Sequence, residues 1–194
     1  MNTGKVAKLI RTITLAPIMA LLALTVLFNY TEDVFGNTYE YVMAVFFLVI
    51  LPILAYPLQP LIPSYKSKGR DGQRQLAIVM AVIGYMGGIT VALITSVPVK
   101  LKVIYFTYFI SGVLILVFNK LLKVKASGHA CGVVGPMAIL VYCLGPWALL
   151  GILILFLVYW ASLKMERHTV SQLCFGSVIP VAALFISYEM YHMG

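Results

Sequence analysis

Residues 76–119 read LAIVMAVIGYMGGITVALITSVPVKLKVIYFTYFISGVLILVFN, and the only charges in the run are Lys100 and Lys102. A hydrocarbon core roughly 30 Å thick is crossed by a helix of about 17 to 25 apolar residues, so this run is too long for one crossing and holds two. They are placed at 76–97 and 103–119, with Pro98 and both lysines in the turn between them. Working outward, the same criterion finds further apolar segments at 12–30, 41–62, 127–144, 147–163 and 168–190. The expected fold is an all-α polytopic transmembrane helix bundle of about seven spans, with six as the alternative. It forms a single integral-membrane domain over residues 1–194.

Composition agrees. The 194 residues are 62% hydrophobic with a mean hydropathy of +1.00, and only 10% are charged, against roughly 25% in a soluble domain. A soluble globular protein is excluded. The net charge of +8, on so apolar a chain, reads as membrane topology and attraction to anionic head groups, with no nucleic-acid partner. Cys131, Cys143 and Cys174 lie inside apolar runs without pairing or metal-ligand spacing and read as small packing residues.

Basic residues concentrate at the cytoplasmic ends of spans. With seven spans, Lys5, Lys8, Arg11, Lys66, Lys68, Arg70, Arg74, Lys120, Lys123, Lys125, Lys164 and Arg167 fall on one side, and only Lys100 and Lys102 on the other. The N-terminus is therefore expected in the cytoplasm and the C-terminus outside. The first segment has a basic start and an apolar body but no small-x-small cleavage site, which reads as an uncleaved anchor. Gly84, Gly88 and Ala92 recur every four residues, as do Gly128 and Gly132. This is the spacing that lets helix backbones approach closely.

Ionisable residues at span ends converge on three helix starts assigned to one face: Lys120, Lys123, Lys125, Ser127, Gly128 and His129; Lys164, Arg167, His168 and Gln172; and Arg70, Asp71 and Arg74. Free N–H groups and the positive dipole end favour an anion at such positions. Each cation taken singly is also what membrane orientation alone produces. The two histidines are either a shared phosphate site or two separately solvated interfacial groups, and His192 is incidental. In a shared site one imidazole attacks phosphorus, giving a phosphohistidine, and the other protonates the leaving oxygen. Two histidines without nearby carboxylate or thiol ligands leave a metal ion incompletely coordinated, so no metal or other cofactor is expected. A serine hydrolase is disfavoured because Ser127 and His129 share one turn with no acid in reach.

At these residues the chain resembles the type 2 phosphatidic acid phosphatase superfamily of membrane lipid phosphatases and vanadium-haloperoxidase-like enzymes, in its divergent prokaryotic members. Ala126-Ser127-Gly128-His129 keeps three of four positions of that family's Pro-Ser-Gly-His motif. Aligning His168 with the histidine of its Ser-Arg…His…Asp motif puts Ala161 at the Ser, Ser162 at the Arg, Gln172 at the Asp and Gly176 at a following Gly. The strict Lys…Arg-Pro motif is absent, with Arg70 and Arg74, or Lys120 and Lys123, as candidates for its role. The resemblance covers about 120–180. It implies His168 as nucleophile and His129 as general acid, with Ser127 and the Gly128 N–H binding phosphate. Lys125, Lys164 and Arg167 would supply the charge that Ser162 lacks, and Gln172 would orient His168 through its amide oxygen without a carboxylate's charge. Glu166 is expected to point away from His168.

The function expected on this basis is a metal-independent phosphatase of a multi-pass prokaryotic cell-membrane type, acting on a lipid phosphate or isoprenyl (di)phosphate from a cytoplasmic-side site. The rival is a non-catalytic binder or transporter of phospholipid or polyprenyl phosphate on the same scaffold. A small channel or assembly subunit would leave both histidines unexplained.

Overall fold

The computed structural model describes residues 3–192, and among these there is helix but no strand. Residues 1, 2, 193 and 194 of the expected 1–194 domain lie outside the described residues. Helix α1, Thr3–Ile13, is amphipathic: Lys5, Lys8 and Leu9 are exposed while Ala7 is buried. It meets α2, Ala16–Tyr30, at an angle of 54°. Pro17 in the first turn of α2 has no N–H to continue the ladder backward, so the chain breaks at Thr14 and Leu15 and restarts.

Helix α3, Thr38–Leu61, is capped by Asn37, whose Oδ1 accepts the Glu40 N–H at 3.0 Å. Its ladder passes through a π-helical turn at Phe46–Ile50, just before Pro52. The remaining helices are α4 (Gly69–Ile94), α5 (Val99–Leu121), α6 (Gly128–Leu144), α7 (Pro146–Lys164) and α8 (Val170–His192). Five of these elements, α3, α4, α5, α7 and α8, are long and apolar enough to cross a membrane. The α1–α2 pair makes a sixth if it is one bent span. The expected span at 127–144 is α6, whose 17 residues rise only about 26 Å at about 1.5 Å each, short of the roughly 30 Å apolar core.

Helix α6 sits at the centre, packed on α2, α5, α7 and α8, while α8 also lies along α5. On one flank α4 packs between α3 and α5; on the other α1 lies against α7. Leu24, Leu27, Leu48, Leu101, Ile104, Tyr105 and Ile139 form the main core, and Met19, Val133, Met137 and Val158 a second one. Of the small-residue rows read from the sequence, that of Gly84, Gly88 and Ala92 is a contact seam, while in the other Gly132 packs on Ala16 and Gly128 meets nothing. A Cβ on Gly84 would overlap the Phe47 carbonyl, and Gly88 holds the Tyr105 ring. Leu22, Ile83, Leu153, Phe156, Val178 and Phe185 remain exposed around the bundle, the lipid-facing surface such a chain requires.

Hydrogen bonds and ion pairs sort the loops onto two ends. At one end Arg11 meets Ser162, Thr14 meets His129, and Ser127 meets Gln172. At the other, Lys100 Nζ pairs with Asp33 at 2.5 Å and lies 6.0 Å from the centre of the Tyr142 ring. The first end depends on Gly176, where a Cβ would overlap the carbonyl oxygen of Ser127. Gly176→Ala should lower the melting temperature of the detergent-purified protein by the equivalent of about 1–3 kcal/mol. Gly128→Ala, with nothing within 4 Å of the added carbon, should leave it unchanged; equal melting of all three proteins would refute this packing.

Candidate active site

Two short connections build the site. In the first, the Asn119 side chain clamps Ala126: Nδ2 donates to the Ala126 carbonyl at 3.2 Å, and the Ala126 N–H donates to Oδ1 at 2.8 Å. Lys123 turns the chain with a positive φ of 55°. Ser127 then caps α6, its Oγ accepting the Ala130 N–H at 3.2 Å, and its own N–H donates to the Gln172 carbonyl at 2.8 Å. In the second, the Arg167 N–H donates to the Ser162 carbonyl at 3.0 Å and ends α7. This closure puts Glu166 at φ 52°, the left-handed position that usually takes glycine. Thr169 Oγ1 accepts the Gln172 N–H at 3.4 Å, which starts α8.

Between these connections lies an open cleft of about 410 Å³ walled by Lys125, Leu163, Glu166, Arg167, His168, Thr169 and Gln172. His168 Nδ1 is 3.1 Å from Gln172 Oε1. An amide oxygen only accepts, so Nδ1 carries the proton and Nε2 keeps its lone pair. Partial burial holds the His168 imidazole below its ordinary value. The bond to Gln172 opposes that shift, while Arg11, Lys125 and Arg74 reinforce it. The result is a neutral imidazole at pH 7 with a free Nε2, as a nucleophile requires.

Behind the wall, Arg11 Nη1 donates to Ser162 Oγ at 2.6 Å, and Ser162 is fully buried. Arg70 and Arg167 lie within electrostatic reach of Arg11, and Arg11 is in turn the charge that acts most strongly on both His129 and His168. His129 Nε2 sits 3.2 Å from Thr14 Oγ1. The Thr14 hydroxyl donates to the Ile10 carbonyl at 2.7 Å, so the oxygen accepts from His129 Nε2–H and fixes that ring's tautomer.

The structure thus gathers the three helix starts singled out in the sequence. Lys125, Arg167, His168 and Gln172 share the cleft wall, with Arg70 and Arg74 close by in charge. Others stand differently from expectation. Ser127 is fully buried with its hydroxyl committed to the helix cap, because Gly176 lets α8 close over it. Gly128 is exposed, Lys164 is exposed outside the cleft wall, and His129 faces Thr14. Glu166 lines the cleft beside His168, since its left-handed backbone swings it back toward the site. Arg11, Thr14 and Thr169 were not anticipated as site residues. Arg11's partner is 151 positions away, and its only sequence signal was being the last charge before an apolar run.

Comparison with protein-family models, with curated proteins and with solved structures finds no match to this chain.

Two outcomes follow from this geometry. Glu166→Gly should stabilise the protein by about 1 kcal/mol by relieving the left-handed backbone, read as a higher melting temperature. In an NMR titration His168 should protonate below its ordinary 6.5. Gln172→Leu, which removes the bond favouring the charged ring, should move the midpoint lower still; an upward move would reverse the assigned proton.

Proposed function

We propose that the cleft is the head-group site of a membrane-embedded, metal-independent phosphatase acting on a lipid phosphate or isoprenyl (di)phosphate. The observation that carries this reading is the His168–Gln172 bond in a cleft walled by Lys125 and Arg167, with Arg11 and Arg74 within electrostatic reach. His168 Nε2 forms a bond to phosphorus as the ester P–O bond breaks, and the departing oxygen takes a proton. Water then cleaves the P–N bond, releases phosphate and restores the imidazole. Lys125, Arg167, Arg74 and Arg70 neutralise the non-bridging oxygens, and Lys164 attracts anionic head groups from outside the wall. The Gly128 N–H, at the exposed start of α6, adds a donor. His129, after turning from Thr14 and in its protonated form, supplies the leaving-group proton, and it takes one back from the water that cleaves the P–N bond. On this reading the chain is a divergent member of the type 2 phosphatidic acid phosphatase superfamily.

The same reading takes α6 as a seventh crossing. Ser127 meets Gln172 at the cleft end, while α6 reaches the turn that opens α7 at Gly145, with φ 86°. On this reading α7, which returns to the cleft end at Ser162, needs α6 to carry the chain across the bundle, short as it is. That puts all but two of the 14 Lys and Arg, the exceptions being Lys100 and Lys102, at the cleft end, which is the cytoplasmic one. A non-catalytic phospholipid or polyprenyl-phosphate binder is favoured instead by one observation: His129 Nε2 is engaged by Thr14 and lies outside the cleft wall.

Inorganic phosphate release from phosphatidic acid, phosphatidylglycerophosphate and prenyl (di)phosphates, measured with EDTA present, separates the two. The expected result is release by the native protein that His168→Ala abolishes without loss of folding and Gln172→Leu reduces about 10²-fold or more. Release that survives in His168→Ala would remove the mechanism, and no release from any substrate would transfer the cleft to the binder reading.

A further inference from the structure

Arg11 carries a charge that nothing around it balances. It is half-buried, and its one hydrogen bond among the described residues goes to a neutral hydroxyl, Ser162 Oγ, at 2.6 Å. Among the described residues the other four guanidinium N–H groups have no acceptor. The charges that act on it most strongly, Arg167 and Arg70, are both cations, and it acts in turn on His129 and His168. Among the described residues the single ion pair is Lys100 with Asp33, at the far end of the bundle. A partly desolvated cation clustered with other cations is held in place at a cost unless an anion joins them.

We propose that Arg11, which stands behind the cleft wall beside Ser162 and Arg167, reaches in as a direct ligand of the bound phosphoryl group, delivered from α1 and aimed by Ser162, and that it makes the site selective for a terminal, dianionic phosphate over a phosphodiester. This rests on reading the cleft as a phosphate site. The guanidinium is the cation that acts most strongly on both histidines. Ser162, which aims it, is joined through its own carbonyl to the amide of Arg167 in the cleft wall. A monoester presents two charges and three terminal oxygens, enough to occupy Arg11 and Arg167 together, whereas a diester presents one charge and two such oxygens. The bend between α1 and α2 is what turns Arg11 under the bundle, so α1 is part of the binding site as well as an amphipathic surface helix.

Binding separates this assignment from turnover. The full-length protein is titrated with inorganic phosphate in detergent, and in nanodiscs carrying either phosphatidic acid, a monoester, or phosphatidylglycerol, a diester. The variants are Arg11→Gln, Arg11→Lys, Ser162→Ala and His168→Ala. Native protein should bind phosphate more tightly as pH rises and the inorganic monoanion becomes the dianion, and should prefer phosphatidic acid. Arg11→Gln should weaken phosphate about tenfold or more, lose that pH dependence and lose the lipid preference. Arg11→Lys keeps the charge without the fork, so it should retain phosphate binding but lose much of the preference. Ser162→Ala should weaken phosphate with every charge intact. Native affinity and preference in Arg11→Lys and Ser162→Ala, or in a folded Arg11→Gln, would overturn the proposal, as would native protein that binds neither phosphate nor phosphatidic acid. If native protein and His168→Ala both bind phosphate, Arg11→Gln does not, and no substrate is turned over, the Arg11 assignment stands and the phosphatase reading falls.

Discussion

The amide of Ser127 donating to the carbonyl of Gln172 at 2.8 Å is the contact on which this end of the molecule depends. It joins the start of α6, the central helix, to the first turn of α8. It does so at backbone level, so the position of the joint does not depend on a side-chain rotamer. Gly176 makes it possible by leaving out the carbon that would collide with the Ser127 carbonyl. Once the two helix starts are joined, Lys125 on one connection and His168, Arg167 and Gln172 on the other must face a common space. The clamp of Asn119 on Ala126 and the left-handed closure at Glu166 then set how the two connections enter that space.

Lipid makes such an arrangement selective. Within the hydrocarbon, backbone groups are satisfied by helical bonds, and only helix ends offer unpaired donors and tolerate charge. Bundling several helices with short turns therefore collects cations and N–H groups at the ends of the molecule. Here one end is far richer than the other. There, burial depresses the His168 imidazole, the cations Arg11, Lys125 and Arg74 reinforce that shift, and the Gln172 oxygen fixes its proton on Nδ1. An unprotonated ring nitrogen beside uncompensated cations is chemically complementary to a phosphorus centre bearing anionic oxygens.

Much of this was legible in the sequence because its signals are local. The runs of apolar residues gave the helices, and the four-residue spacing of Gly84, Gly88 and Ala92 gave a contact seam that the fold uses. The hydrogen bond between His168 and Gln172 was expected from the resemblance, which puts Gln172 at the position that orients His168. Arg11 was legible only as a count toward orientation. Its role depends on Ser162, 151 residues away, and no periodicity reports such a pairing. Ser127 shows the reverse case, where a residue that fits a phosphate-binding motif is enclosed as a helix cap by the helix packed over it.

What the sequence determined by itself is the solvent and the class: a chain this apolar, broken by charge at these intervals, folds as helices in lipid with its bases at helix ends. What only the tertiary structure decided is which ends meet and which side chains they share. The bend at Thr14 and Leu15 brings α1 beneath α7, and the contact at Gly176 brings α8 onto the start of α6. Hydropathy is a sum over neighbours in the chain and fixes each helix separately. The site is a matter of angles and close approaches between helices, set by packing at single residues such as Pro17 and Gly176 whose effect appears only when a second helix is present.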